Sequence, residues 1–161
     1  MAGQPNKRRG MLLSVAAIPA AMVLWVIVWS MGYIASIVAF ALAYAVIWLY
    51  EKGAGAKPDK TVALPLVAII LVGSLLSFMA GMAADGWSYY HSAEYTAMAQ
   101  PTDGEVIGYI VQDFSNSQIW GAYTNDIMMT VLFTLIGAGG VIYTLFKSKA
   151  SRESVEKTSA K

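Results

Sequence analysis

A run of 41 residues without Asp, Glu, Lys or Arg, from Gly10 to Tyr50, constrains the fold of this chain more than any other feature. As one α-helix the run would be about 60 Å long, at a rise of about 1.5 Å per residue. The hydrocarbon core of a bilayer is only about 30 Å thick, so the run is predicted to hold two membrane spans. Gly32 suits a tight turn near its middle, and Trp29 and Tyr33 suit a membrane–water interface.

Two further charge-free runs, 61–84 and 127–146, are each long enough for one span. Apolar residues make up 57% of the chain and charged residues 13%, which leaves too few charges to cover a soluble protein. The predicted fold is therefore an all-α, polytopic membrane protein whose four transmembrane helices form two hairpins. The predicted segments are an N-terminus 1–10, spans 11–30, 33–50, 61–84 and 127–146, loops 51–60 and 85–126, and a disordered tail 147–161.

The basic residues predict the orientation of these spans. All eleven fall in the N-terminus, the 51–60 loop and the tail, which four spans place on one side of the membrane. Basic residues mark the cytoplasmic side. We therefore expect both termini in the cytoplasm, the 85–126 loop outside, and the plasma membrane as the location.

The 85–126 loop carries six acidic residues, no Lys or Arg and many aromatic residues. Thr102 and Glu105 have the spacing of a capping box, and apolar residues from Val106 to Phe114 recur at helical spacing. A short amphipathic helix is expected there. Aromatic side chains are enriched in protein interfaces. The predicted interaction surface comprises Trp87, Tyr89, Tyr90, His91, Trp120 and Tyr123.

Small residues recur every four positions in the predicted spans. Such spacing lets helix backbones approach closely in lipid, where hydrophobic burial does not drive association. The predicted helix-packing positions are Gly73, Ser77, Gly81, Ala35, Ala39, Ala43 and Gly137. A homo-oligomer interface or a thin polar lining for a pathway are alternative interpretations of the same residues. Pro19 lies deep enough in its span to predict a kink.

The sequence offers little catalytic chemistry. The predicted spans contain no ionisable residue, which disfavours proton-coupled transport. His91 and Glu94 could share a helix face and bind a metal, but four zinc ligands are not at hand, so an interfacial histidine is the preferred interpretation. Asp103 and Glu105 fit helix initiation better than acid–base catalysis. We expect no catalytic residue, no cofactor and no metal site.

The resulting hypothesis is a small, non-enzymatic integral membrane protein that acts as an accessory or interaction subunit of a membrane complex. Its expected partners are membrane lipids and other membrane subunits or copies of itself, with no nucleic acid. The main alternative is a homo-oligomeric channel or small-solute transporter lined by the third and fourth spans. A lipid-modifying membrane enzyme that uses loop carboxylates is a third.

Overall fold

The computed structural model describes the backbone of residues 6–32 and 35–159, and the side chains of these residues apart from 141 and 144–159. The described residues form helices and no strands. The helices are α1 (Lys7–Val15), α2 (Ala17–Ser30), α3 (Ile37–Ala54), α4 (Lys60–Tyr90), α5 (Ala93–Met98), α6 (Asp103–Asp113), α7 (Ser117–Ala122) and α8 (Thr124–Ser159). Expectations for residues 1–5, for the start of the second span at 33, and for residues 160–161 lie outside the described residues.

Three helical segments are long and apolar enough to cross a membrane: Lys7–Ser30, which joins α1 to α2, then α3 and α4. The all-α class is confirmed for the described part of the chain, and the protein is membrane-embedded. Large apolar side chains such as Leu12, Leu64 and Tyr44 are more than two-thirds exposed on the outside of the bundle, where lipid would cover them.

The four long segments run up, down, up and down. We define α5, α6 and α7 as the cap, and α2 ends close to it. α3 returns to the opposite end of the bundle, where the backbone N–H of Asn6 donates to the carbonyl of Ala54 at 3.1 Å. α4 begins at that same end, since Lys7 forms an ion pair with Asp59, the residue that caps α4. α8 then leaves the cap and packs on both α3 and α4.

Helix boundaries differ from those expected from charge alone. α4 continues past Asp85 and Gly86 to Tyr90, so the expected 85–126 loop begins inside a helix. α8 likewise continues through Ser159, where a disordered tail was expected. A charged residue marks where a helix leaves the apolar phase, whereas a helix ends only where its hydrogen bonding is interrupted. Residues 147–159 contain neither Gly nor Pro, so nothing in that sequence stops α8.

The positive φ predicted for Gly32 is confirmed. Gly32 has a φ of 74° in the turn that follows α2. The first apolar segment is interrupted at Ala16, between α1 and α2. Pro19 explains the interruption, because its ring excludes the carbonyl of Val15 from the position that a straight helix requires.

Small residues bring the helices together. On α4, a methyl group added at Gly73 would meet Leu42, and one at Gly81 would meet Trp25, each within 3.0 Å. On α8, a methyl at Gly137 would lie 2.6 Å from the Cβ of Ala43. All seven positions assigned to helix packing are buried: Ala35, Ala39, Ala43, Gly73, Ser77, Gly81 and Gly137.

A close approach between the backbones of α1 and α3 was not anticipated from the sequence. A Cβ on Gly53 would lie 2.8 Å from the backbone oxygen of Arg9 and 2.8 Å from the Cα of Gly10. Nearby, Ser14 donates its hydroxyl to the carbonyl of Val46 in α3 at 2.9 Å. The signal lay in the pairing of Gly10, at the start of the first run, with Gly53, in the predicted 51–60 loop. A search for repeats within one helix does not detect such a pair.

Candidate functional site

The cap covers the end of the bundle where α2 ends and α8 begins, and α6 is its main element. The capping box predicted at Thr102 and Glu105 is present: the Thr102 hydroxyl accepts from the Glu105 N–H, and the Glu105 carboxylate accepts from the Thr102 N–H. Val106 is fully buried, and Ile110 contacts α4 at Gly86. The α6 helix therefore lies against the last turns of α4, which continue beyond the bilayer-length part of that helix.

The structure divides the six predicted interaction residues into two groups. Trp120 and Tyr123 turn inward and join an inner aromatic cluster, whose members are Trp25, Trp29, Phe78, Trp120 and Tyr123. The ring centroids of neighbours in this cluster lie 5.9 to 6.5 Å apart. Trp120 is held in place because its indole N–H donates to the carbonyl of Phe114 at 2.9 Å.

The other four predicted residues, Trp87, Tyr89, Tyr90 and His91, end α4 and follow it. Trp87 and Tyr89 are 41% and 60% exposed. Tyr90 is half-buried and donates its hydroxyl to Asp113 at 3.0 Å, which links α4 to the end of α6. These four side chains therefore remain near the surface, away from the inner aromatic cluster.

Acidic residues of the segment 85–126 accept hydrogen bonds from aromatic side chains. Tyr123 donates to Asp85 at 3.0 Å, and burial together with the charge of Asp85 raises the pKa of Tyr123 well above its usual value of 10, so the phenol remains a donor. His91 stacks on Trp87 and reaches Asp103 at 3.2 Å. The Trp87 carbonyl and the Asp103 carboxylate both raise the pKa of His91 by favouring its protonated form.

These hydrogen bonds already engage Asp85, Asp113 and the pair of His91 with Asp103, and so reduce the number of side chains available to bind a metal. Within the described residues, no group of three or more His, Asp or Glu side chains could hold a metal ion. His91 and Glu94, which we considered as a metal pair, lie on opposite sides of the helix boundary at Ser92, and His91 already contacts Asp103.

One exposed feature of the cap is apolar. Ile107 and Val111 in α6 are 56% and 63% exposed, and Met98 at the end of α5 is 74% exposed. In the sequence, the apolar residues of α6 formed one apparent face. The structure separates them, because Val106 and Ile110 pack inward while Ile107 and Val111 lie about 100° further around the helix. We call Ile107 and Val111, which lie one helical turn apart on α6, the cap stripe.

A second feature is a groove of about 200 Å³ between α4 and α8, closed at one end by α7. Its lining is formed by Leu71, Ser74, Leu75, Phe78, Trp120, Ile127, Thr130, Val131, Thr134 and Leu135. Three hydroxyl groups therefore lie on apolar walls. Two of them, on Ser74 and Thr134, are buried and have no hydrogen-bond partner among the described residues.

Comparisons with known proteins provide no family. No protein-family model, no curated protein and no solved structure matches this chain. The function must therefore be inferred from the cap stripe, the charge of the cap segment and the groove.

Proposed function

We propose that the chain crosses the plasma membrane four times, with both termini in the cytoplasm and the cap outside. The proposal is supported by the agreement between the positions of the basic residues and the number of long helices. The basic residues in the first turn of α1, around the junction of α3 with α4, and after residue 146 share one side only if α8 is the fourth span. The segment 85–126, with six acidic residues and no Lys or Arg, then faces the exterior.

We further propose that the protein is a non-catalytic accessory subunit that binds another membrane protein through its cap. The cap stripe carries this proposal. Ile107 and Val111 expose apolar surface on a cap that lies outside the predicted spans, where water would otherwise contact it. Trp87 and Tyr89 add exposed aromatic surface at the end of α4, and such side chains are enriched in interfaces.

The charge around the stripe suggests the chemistry of the partner. Glu94, Asp103 and Glu105 are exposed, and no Lys or Arg lies between 61 and 146. A partner surface with apolar side chains bordered by Lys or Arg would complement both features, since opposite potentials favour association and exclude wrong partners. The proposed partner is therefore an extracytoplasmic segment of another membrane protein with a basic margin.

The alternative of a homo-oligomeric channel or small-solute transporter retains one supporting observation. Ser74, Thr130 and Thr134 from the third and fourth predicted spans line the same groove. A flux assay in reconstituted vesicles tests this alternative, and Thr134→Leu should reduce any flux that depends on the groove. The enzyme alternative has weaker support, because Asp85 and Asp113 are already engaged by tyrosine hydroxyls.

Site-specific photocrosslinking in native membranes tests the subunit proposal. A photoreactive residue at Val111 is expected to capture an unlike protein chain. One at Leu132 of α8, which is 50% exposed, should capture lipid. Adding Ile107→Ser to the Val111 probe should greatly reduce the protein crosslink. Both side chains are more than half exposed, so the change is expected to leave insertion and unfolding behaviour unaltered.

Mass spectrometry of the captured peptide decides between the outcomes. An unlike chain with Lys or Arg next to the crosslinked residue supports the proposal. A crosslink to a second copy of this chain would establish a homo-oligomer instead. Crosslinks to lipid alone would show that the cap lies on the membrane surface and would refute the subunit role.

A further inference from the structure

His91, the only histidine of the chain, follows the last residue of α4 and has an acceptor at each ring nitrogen. Its Nδ1 lies 2.9 Å from the carbonyl oxygen of Trp87, and its Nε2 lies 3.2 Å from Oδ1 of Asp103. A carbonyl and an ionised carboxylate only accept hydrogen bonds, and a neutral imidazole has a single N–H to donate. Both contacts are therefore hydrogen bonds only when the ring is protonated.

The end of α4 favours that cation in two further ways. The Trp87 carbonyl belongs to the last turn of the helix, where the helix dipole stabilises positive charge. The Trp87 ring stacks on the imidazole with a centroid separation of 4.4 Å, which allows a cation–π contact. The pKa of His91 is accordingly raised, first by the Trp87 carbonyl and then by Asp103.

The charged groups of the helices packed around His91 are all acidic. They are Asp85 in α4, Glu94 in α5, and Asp103, Glu105 and Asp113 in α6. Hydroxyl groups already donate to three of them, Tyr123 to Asp85, Tyr90 to Asp113 and Thr102 to Glu105. No Lys or Arg lies in the segment 85–126, so no positive charge of that segment opposes the imidazolium. Phenols titrate only near about pH 10, so the neighbouring tyrosines do not change charge with the histidine.

α6 is bound to α4 at both of its ends, by two different kinds of contact. At its C-terminal end, Asp113 accepts a hydrogen bond from Tyr90 at 3.0 Å, which does not titrate near neutral pH. At its N-terminal end, Asp103 contacts His91. Residues 97–105 are exposed apart from the half-buried Pro101. Within the described chain, the contact of Asp103 with His91 is the polar contact that joins this stretch to the end of α4.

We propose that His91 and Asp103 form a pH-sensitive ion pair that holds the start of α6 against the end of α4. When the proton leaves, Nε2 presents its lone pair to the carboxylate, the ion pair is lost, and residues 97–105 separate from α4. The C-terminal end of α6 stays bound through Asp113 and the inward packing of Val106 and Ile110.

The change is a shift in population, because the two side chains are 35% and 79% exposed and an exposed ion pair is weak. A raised pKa in the folded state means that the closed form is favoured at low pH and is lost as pH rises through that pKa. The inference concerns the cap itself, so it holds whether or not the cap stripe binds a partner.

The titration can be followed by NMR on the full chain in lipid nanodiscs. With ¹³C-labelled histidine and a purification tag that lacks histidine, the only imidazole signal is that of His91. Its pKa should lie above the ordinary value of about 6.5, and Asp103→Asn should lower it. Glu94→Gln is the matched control, because it removes the same charge from α5 and should change the pKa less.

Spin labels measure the separation, since the chain has no cysteine of its own. Labels at Gly104→Cys and Leu132→Cys report on the start of α6, and labels at Val111→Cys and Leu132→Cys report on its end. A side chain at Gly104 meets nothing within 4 Å, and Val111 and Leu132 are at least half exposed. Between about pH 5.5 and about pH 9, electron–electron distances should lengthen or broaden for the Gly104 pair, with a midpoint at the pKa of His91, and stay constant for the Val111 pair.

Two substitutions assign the movement to the ion pair. His91→Gln should remove the pH dependence of the Gly104 pair, and Asp103→Ala should give the high-pH distances already at about pH 5.5. The proposal is overturned if Asp103→Asn leaves the pKa of His91 unchanged, or if the Gly104 pair shows the same distances at both pH values. It is also overturned if the pH dependence persists in His91→Gln, or if both label pairs move together, because the whole cap would then respond to another group.

Discussion

Replacing Gly53 with alanine tests the contact between α1 and α3, where the two backbones approach closely. The added methyl would lie 2.8 Å from both the Arg9 oxygen and the Gly10 Cα, while ordinary contact begins at about 3.4 Å. Backbone atoms cannot rotate aside, so the helices would have to separate by about 0.6 Å. The same displacement would stretch the 2.9 Å bond between Ser14 and Val46 close to its limit.

The magnitude follows from three effects. Overpacking a core costs about 1–3 kcal/mol. Weakening a buried hydrogen bond adds about 1 kcal/mol. Alanine is the better helix former by about 1 kcal/mol, which offsets part of the loss. We therefore expect Gly53→Ala to lower the free energy of unfolding by about 1–3 kcal/mol.

Gly139→Ala is the matched control, because Gly139 also lies inside a long helix and a Cβ there meets nothing within 4 Å. Reversible unfolding of both variants in mixed micelles, with an increasing fraction of sodium dodecyl sulfate and tryptophan fluorescence as the signal, gives the two free energies. Gly139→Ala should be unchanged or more stable. If Gly53→Ala proves as stable as this control, the close α1–α3 contact is not a feature of the folded protein.

Two further predictions concern pH and orientation. Hydrogen bonds from Lys7 and then Thr61 lower the pKa of Asp59 from 3.8 to about 2. The stabilisation that the Asp59 carboxylate contributes is therefore complete above about pH 4 and is lost as pH falls towards 2. The unfolding midpoints of the parent and of Asp59→Asn should differ at about pH 6 and converge near pH 2. A difference that does not change with pH would contradict this prediction. For orientation, Ser117→Cys in whole cells should react with an impermeant maleimide, whereas Lys57→Cys should react only after permeabilisation, and the reverse pattern would invert the proposed topology.

Several features followed from the sequence because they depend on local chemistry. Gly32 has the positive φ that a tight turn requires, and Thr102 with Glu105 forms the capping box that their spacing predicted. Pro19 interrupts the first apolar segment because its ring cannot be accommodated in a straight helix. The lengths of the charge-free runs likewise predicted membrane-length helices, since the thickness of a bilayer sets a minimum helix length.

The helix ends were less predictable. Charge placed the end of the third span before Asp85, but α4 continues to Tyr90, because its hydrogen bonding is not interrupted before His91. Ile110 of α6, more than twenty positions later in the chain, lies close to Gly86 in these last turns, and no local pattern encodes that contact.

The candidate sites depended on tertiary structure for the same reason. The sequence identified Trp87 and Trp120 as similar aromatic residues of one segment, yet Trp87 is exposed and Trp120 packs against Phe78 in the inner aromatic cluster. Likewise, Ser74 and Thr134 were two hydroxyls in separate helices until the packing of α8 on α4 placed both in one groove. The sequence by itself determined the apolar helices and their turns, because hydropathy and backbone geometry act locally. Only the tertiary structure decided which side chains share a cavity, because that depends on how helices distant in sequence pack together.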